Sequence, residues 1–362
     1  MEISRLDKNF RTVLPDENGF LFRDVTLEPF AVEGLPWFQE NNHEWNRLPN
    51  SFTANDVPEE ILILSKHTSG VCVRFQTDSA QLMLRARLSN GCWLSHMPFA
   101  ASCGFDSYRK LAAENLLYNH TVQPAYQQQD LNALLGVNPE KQLSEWCIQF
   151  PMYCGVEKVE IGLLEGSTLL PPKPHRIKNP ILFYGASITQ GACASRPGNN
   201  YATMLCRELD AEQINLGFSG NGKGDFAIAE EIGKLKLSML IYNYDVPGTE
   251  KPELPAKTFF SIIRKAQPEL PVIMLPKWYY GRRRIITSHN DVAHAMRCLG
   301  IEPNDQNVWF IDKAAIFGYD MYDACTVDGT HPNDLGFYRM YKQMLPTLQQ
   351  ILDKNKTSGG GE

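Results

Sequence analysis

The sequence predicts an α/β fold in which a doubly wound, parallel, five-stranded sheet follows an antiparallel β-sandwich. The first half of the chain alternates apolar and polar residues with period two, which indicates half-buried antiparallel strands separated by turns. The second half alternates short apolar runs with helical patterns, as expected of parallel strands buried on both faces. A proline-rich connector at residues 170–175 separates the two patterns.

These patterns predict three parts along the chain. Residues 1–174 form a jelly-roll-like β-sandwich domain, residues 175–355 form the parallel-sheet domain that carries the chemistry, and residues 356–362 form a disordered tail. The strands predicted in the first domain are at residues 71–75, 82–88, 146–150 and 159–163, with a short helix around 108–117. The strands predicted in the second domain are at residues 181–184, 214–216, 239–242, 272–275 and 308–311.

Helical patterns lie between and after the strands of the second half. They cover residues 201–209, 226–235, 259–266, 292–299 and 335–352, and Pro346 is expected to kink or break the last of them. In a doubly wound sheet, ligands bind beyond the carboxyl ends of the strands. The loops at that edge are therefore where catalytic or binding residues are expected.

Composition excludes several classes of partner. A net charge of −6 over 362 residues argues against a nucleic-acid partner and against an anionic membrane surface. The nine cysteines are scattered without metal-ligand spacing, so free thiols, no metal and no cofactor are expected. The sequence shows neither a signal-peptide pattern nor an apolar run near the ~20 residues of a membrane span, so a cytoplasmic protein without a membrane partner is expected.

Three loops at the predicted sheet edge carry candidate residues. Ser187 directly follows the first parallel strand, where a sharp turn can expose its hydroxyl; the alternative is a helix N-cap. The glycine-rich residues 217–222 follow the second strand and could supply backbone N–H groups to an anion. Asp328 and His331 follow the fifth strand, three residues apart, so that the carboxylate can hold one ring nitrogen while the other faces the serine. A surface turn or a helix cap is the alternative for that pair.

The same loops resemble a known family. Residues 185–191, Gly-Ala-Ser-Ile-Thr-Gln-Gly, resemble the GDSxTxG block of SGNH/GDSL hydrolases. Residues 215–220 are similar to the second block of that family, and Asp328-x-x-His331 is similar to the last. Residues 104–108, Gly-Phe-Asp-Ser-Tyr, are similar to the G-x-D-x-Y signature of a two-domain bacterial branch that has an N-terminal β-sandwich and is carbohydrate acetylesterase-like.

The resemblance implies roles for particular residues. Ser187 would be the nucleophile, His331 the base and Asp328 the group that orients it, and the backbone N–H groups of Ser187 and Gly220 would contribute to the oxyanion hole. The family usually places an oxyanion-hole asparagine after the third strand, where this chain is shortened. Asn243 is the candidate for that donor; it could instead lie on the strand facing elsewhere, with Asn221 as a substitute.

Two further residues are candidates for substrate binding. Arg196 could hydrogen-bond sugar hydroxyls or a carboxylate, or could form a structural salt bridge in its loop. Trp278 follows the fourth strand and could line the cleft against a sugar face, or could pack against the N-terminal domain.

The expected function is a serine esterase that removes acetyl or other short acyl groups from carbohydrate through an acyl-enzyme. Its expected partner is an acetylated oligosaccharide or another small ester, and the sequence leaves homo-oligomer formation open. Two alternatives are a carbohydrate-binding protein with a decayed hydrolase site and a lipid-directed esterase.

Overall fold

The computed structural model describes residues 14–91, 94–110, 115–244, 255–276, 289–311, 316–318 and 320–358. Helices α1 (Glu59–Ser65) and α2 (Phe99–Cys103) lie among the strands of the first half. Those strands are β1 (Phe20–Asp24), β2 (Ala31–Glu33), β3 (Cys72–Thr77), β4 (Gln81–Gly91), β5 (Phe105–Lys110), β6 (Leu117–Val122), β7 (Asp130–Val137), β8 (Ser144–Gln149), β9 (Cys154–Leu164) and β10 (Leu169–Leu170).

The strands of the first half form two antiparallel sheets. One sheet has the order β1-β9-β4-β7, and the other has the order β10-β3-β8-β5-β6, with β2 also pairing along β3. Apolar side chains from both sheets, such as Phe75, Leu84 and Trp146, are fully buried in one shared core. Apolar side chains on the inner face of each sheet are buried when the two sheets pack face to face. The predicted β-sandwich is confirmed.

The second half forms a parallel sheet covered by helices. The strands are β11 (Ile177–Gly185), β12 (Ala211–Gly217), β13 (Met239–Tyr244), β14 (Val272–Pro276) and β15 (Val308–Phe310), in the order β12-β11-β13-β14-β15. The helices are α3 (Ser187–Gln190), α4 (Tyr201–Leu209), α5 (Phe226–Lys234), α6 (Pro255–Ala266), α7 (His289–Leu299) and α8 (Asp334–Ser358). The predicted doubly wound, five-stranded sheet is confirmed.

Each face of the parallel sheet buries its own core. Phe183 faces α4 and α8, whereas its neighbours Leu182 and Tyr184 face α5, α6 and α7. Both cores also take apolar residues from the first half of the chain, including Met152 on one face and Trp37 on the other. The sandwich is therefore packed against the sheet, and its segments can reach the sheet edge where the loops meet.

One local prediction is wrong, and another is wrong in part. Residues 105–110 form β5, which pairs with both β8 and β6, and β6 begins at Leu117, so strands stand where a helix was expected around residues 108–117. Pro346 does not break α8, because the helix continues through it to Ser358, whereas the expected kink stays a prediction. Among the residues that the structure describes, no helix combines the length and apolarity that crossing a bilayer requires.

Candidate active site

Ser187 lies where β11 ends and the chain turns into the short helix α3. The turn is tightly packed: a Cβ on Gly185 would lie 2.4 Å from Oγ1 of Thr189 and 2.8 Å from the Cβ of Asn243. A side chain at position 185 would push α3 away from the strand. The glycine therefore allows the sharp turn, which leaves Ser187 half-buried at the carboxyl edge of the sheet.

Asp328 and His331 share the turn that precedes α8. Oδ1 of Asp328 accepts hydrogen bonds from the backbone N–H groups of Thr330, at 2.9 Å, and His331, at 2.8 Å. Gly329 between them has φ +83°, a left-handed conformation that favours glycine. The spacing of three residues thus brings the carboxylate beside the imidazole through backbone hydrogen bonds.

Ser187, His331 and Asp328 form a continuous chain of hydrogen bonds. Oγ of Ser187 lies 2.9 Å from Nε2 of His331, and Nδ1 of His331 lies 2.7 Å from Oδ2 of Asp328. Burial raises the pKa of Asp328, but hydrogen bonds from His331 and Thr330 outweigh that effect and lower this pKa to about 2. The ionised carboxylate holds the proton on Nδ1, so that Nε2 can accept the serine proton. Such a chain can activate a serine for attack on an acyl carbonyl.

The loop after α3 is tied to the helix after His331. Oδ2 of Asp334, at the start of α8, accepts hydrogen bonds from Oγ of Ser195, at 2.5 Å, and from Nδ2 of Asn199, at 2.8 Å. Oδ1 of Asp334 accepts a third hydrogen bond from the N–H of Ser195 at 2.8 Å. This carboxylate therefore holds the loop that follows Ser187 against the segment that carries His331.

The glycine loop after β12 packs directly on the start of α3. A Cβ on Gly217 would lie 2.3 Å from the backbone nitrogen of Gln190, and one on Gly222 would lie 1.8 Å from the carbonyl oxygen of Gly185. The side chain of Gln190 is fully buried, and its Oε1 accepts a hydrogen bond from the N–H of Ser219 at 2.9 Å. The loop is thus held against the turn that carries the serine.

Two backbone N–H groups remain available at this edge. Among the described residues, the N–H groups of Ser187 and Gly220 donate to no protein acceptor, and Gly220 is exposed with φ +74°. Free N–H donors on adjoining loops can stabilise an oxyanion that develops on an acyl carbonyl. The predicted oxyanion role of these two groups stays a prediction.

The structure does not present Asn243 as an oxyanion donor. Its side chain is 1% exposed, and its Nδ2 donates to the backbone oxygen of Leu275 on the neighbouring strand at 3.3 Å. The sequence-based prediction is therefore corrected in favour of its alternative, because the amide is used inside the sheet. Asn221, the substitute, donates its Nδ2 to the backbone oxygen of Ser219 at 3.0 Å, within its own loop.

Arg196 has a structural partner rather than a free guanidinium. Its Nη1 donates to Oδ2 of Asp106 at 2.8 Å and to the Tyr108 hydroxyl at 2.5 Å, and the guanidinium carbon lies 4.0 Å from the ring centroid of Tyr118. The Asp106 carboxylate is fully buried and also accepts a hydrogen bond from the N–H of Gly198 at 2.8 Å. The G-x-D-x-Y residues thus bind the loop after α3. The salt bridge expected as the alternative for Arg196 is present, and its substrate role stays a prediction.

The loops after β13 and β14 leave the sheet at the same edge as Ser187. Residues 245–254 and 277–288 of these loops lie outside the described residues, and they include Trp278. The prediction that Trp278 contacts substrate therefore stays a prediction.

Sequence reasoning missed Arg47, a residue of the first half that lies beneath the glycine loop. Its side chain is fully buried, and its Nη1 donates to the backbone oxygens of Asn215, at 2.8 Å, and Gly217, at 2.9 Å. Burial lowers the pKa of Arg47 to about 9, which leaves the guanidinium charged at neutral pH. A single arginine in a polar stretch has no sequence signature of this role, since its acceptors are backbone oxygens some 170 residues away.

Both halves of the chain match family models. Residues 178–349 match the model described as the GDSL-like Lipase/Acylhydrolase family, and residues 20–169 match the one described as the N-terminus of Esterase_SGNH_hydro-type. No curated protein matches the sequence.

Solved structures share the fold over most of the chain. A GDSL-like lipase candidate from Bacteroides ovatus is 24% identical, with 92% of this chain and 98% of that chain covered and a TM-score of 0.77. The salicylyl-acyltransferase SsfX3 from a tetracycline biosynthetic pathway is 17% identical, with 92% and 98% covered and a TM-score of 0.69. A family two carbohydrate esterase from Clostridium thermocellum, solved with cellohexaose, is 13% identical, with 79% and 94% covered and a TM-score of 0.51.

The two-domain fold and the family matches define a carboxylic ester hydrolase that carries an N-terminal β-sandwich. Residues 178–349 carry the match to the GDSL-like lipase/acylhydrolase family, and residues 20–169 carry the match to the domain that precedes SGNH-type esterases.

Proposed function

We propose that this protein is a serine esterase that removes acetyl or other short acyl groups from carbohydrate through an acyl-enzyme. The observation that carries the proposal is the hydrogen-bonded chain of Ser187, His331 and Asp328, with its 2.9 Å and 2.7 Å contacts. The two free N–H donors on adjoining loops support it, since acyl transfer needs both a nucleophile and a stabilised oxyanion.

The reaction takes place in two halves. Ser187 attacks the ester carbonyl while Nε2 of His331 takes the hydroxyl proton, and the N–H groups of Ser187 and Gly220 stabilise the oxyanion. His331 then gives that proton to the leaving sugar alcohol, which departs as the acyl-enzyme forms. Water repeats the sequence on the acyl-enzyme and releases the carboxylic acid. Asp328 remains ionised and stabilises the imidazolium in both halves.

Carbohydrate as the leaving alcohol is supported by one of the shared-fold structures, the Clostridium thermocellum carbohydrate esterase solved with cellohexaose. The name of SsfX3 raises a related activity, in which an acceptor other than water receives the acyl group. Both reactions use the same acyl-enzyme, and hydrolysis is the simpler proposal because it needs no acceptor site.

Acetate release from acetylated oligosaccharides tests the proposal. The parent protein is expected to release acetate, and Ser187→Ala is expected to lose this activity. Ser238→Ala is a matched control, since the Ser238 hydroxyl donates to the backbone oxygen of Asn179 outside the site. Retained glycan binding without turnover in the parent would favour a decayed, carbohydrate-binding site.

A series of 4-nitrophenyl esters from acetyl to octanoyl separates short-acyl from lipid-directed hydrolysis. We expect kcat/KM to fall as the acyl chain lengthens. A preference for octanoyl over acetyl would contradict the short-acyl proposal and favour the lipid-directed alternative.

A further inference from the structure

His331 also lies beside two residues that acyl transfer does not use. His96, in the turn before α2, is exposed, and Cys193, in the loop after α3, is buried with φ +71°. One potential metal-binding atom from each of His96, Cys193 and His331 lies within 4.8 Å of the other two. The rings of His96 and His331 have centroids 5.9 Å apart. We call these three residues the His–Cys–His cluster.

The chemistry of the cluster suits one class of ligand. Two imidazole nitrogens and a thiolate are ligands that Zn²⁺ binds, at about 2.0–2.1 Å and 2.3 Å, and they leave a fourth position for water. Tetrahedral geometry at these bond lengths separates ligand atoms by roughly 3.3–3.6 Å. The cluster must therefore contract by about 1 Å, which the exposed side chain of His96 can supply by changing rotamer.

We infer that the His–Cys–His cluster binds Zn²⁺ and that the bound ion inhibits the esterase by taking a nitrogen of His331. Nε2 of that imidazole contacts Ser187, and Nδ1 contacts Asp328. A metal on either nitrogen replaces one of these two hydrogen bonds, so either mode of binding interrupts the chain. The inhibition rests on the proposed function, whereas the binding does not.

Cys193 contributes to such a site as a thiolate. Zinc binding displaces the thiol proton into solvent and forms a Zn–S bond.

Cobalt(II) titration of the full chain tests binding without reference to activity. Tetrahedral coordination that includes a thiolate gives intense visible bands and a near-ultraviolet sulfur-to-cobalt charge-transfer band. We expect both to reach saturation at one equivalent of Co²⁺ and to disappear when Zn²⁺ is added. Cys193→Ala should lose the charge-transfer band, whereas Cys206→Ala, which removes another buried thiol, should keep it.

Inhibition is measured with 4-nitrophenyl acetate, each variant being normalised to its own metal-free rate. Zn²⁺ should abolish turnover, and a chelator should restore it. His96→Ala should raise the Zn²⁺ concentration for half-inhibition by at least about tenfold, the loss that even outer-shell changes cause. His43→Asn is the control, because His43 is also exposed but contacts Gln39 instead of the cluster.

The two measurements distinguish the site from the proposed function. A charge-transfer band that depends on Cys193, in a protein without esterase activity, would support the metal site and contradict the proposed function. An active esterase with no such band would overturn the metal site alone. Zinc inhibition that His96→Ala leaves unchanged would also overturn it.

Discussion

Replacing Asp328 by asparagine changes a proton position while leaving intact the turn that holds His331. The asparagine Oδ1 can still accept from the N–H groups of Thr330 and His331, which now donate to the carboxylate at 2.9 Å and 2.8 Å. Its Nδ2, however, would face Nδ1 of His331 as a second donor. The imidazole must then carry its proton on Nε2, where it can no longer accept the hydroxyl proton of Ser187.

The expected loss in kcat is about 10⁴-fold, the size seen when a triad carboxylate becomes an amide, or about 5 kcal/mol at 1.36 kcal/mol per tenfold. Stability should change by less than about 1 kcal/mol, because both backbone hydrogen bonds remain. Asp328→Ala is the contrast, since it removes the oxygen that accepts both backbone hydrogen bonds and should cost about 2 kcal/mol. Turnover of 4-nitrophenyl acetate and urea unfolding measure the two quantities. An Asp328→Asn protein within tenfold of the parent rate would refute this reasoning.

Three predictions concern contacts between the first and second halves of the chain. Asp106→Asn removes the charge opposite Arg196, whose side chain is 22% exposed, and should lower the free energy of unfolding by about 2–4 kcal/mol in urea titrations. An unchanged unfolding midpoint would contradict a stabilising role for the Asp106–Arg196 ion pair. Arg47→Met leaves buried backbone oxygens unpaired and should cost about 3–5 kcal/mol, measured in the same way, whereas a neutral result would show that water replaces the guanidinium. Burial alone would lower the pKa of His175, but hydrogen bonds to Asp210 and Glu33 and the charge of Glu33 raise it to about 9. The stabilisation from protonated His175 is therefore complete below the unfolded pKa near 6.5 and is lost as the pH rises through 9, with a total of up to about 3 kcal/mol. His175→Gln should flatten the profile of unfolding free energy from pH 6 to 10. An equally steep profile in this variant would contradict the raised pKa of His175.

Periodicity predicted the architecture because each pattern reports burial directly. Residues 201–209 were predicted as a helix and form α4, and residues 272–275 were predicted as a strand and lie in β14. The loops at the sheet edge also followed from the strand order, since parallel strands bring their carboxyl ends together. The short spacing of Asp328 and His331 is likewise a local signal, and the turn between them is built from local hydrogen bonds.

Local signals fail where distant partners decide the outcome. The residues around Tyr108 include helix formers, but pairing with β8 and β6 places residues 105–110 in a strand. The direction of the Asn243 side chain depends on register against β14, which the sequence alone does not specify. Arg196 could be assigned to Asp106 only once the sandwich was packed on the parallel-sheet domain, since the two residues are 90 positions apart.

The same reason hides the His–Cys–His cluster from sequence reasoning. Metal sites are usually detected by short spacings between ligands. Here the ligands come from a turn of the sandwich, the loop after α3 and the turn before α8, so no spacing links them.

Covalent trapping with a fluorophosphonate tests the nucleophile most directly. The reagent reacts with an activated serine hydroxyl and leaves a stable adduct that intact mass and peptide mapping can locate. We expect one adduct per chain on Ser187, absent from Ser187→Ala and strongly slowed in His331→Ala. An active enzyme that takes up no adduct, or that is labelled at another residue, would contradict the assignment of Ser187.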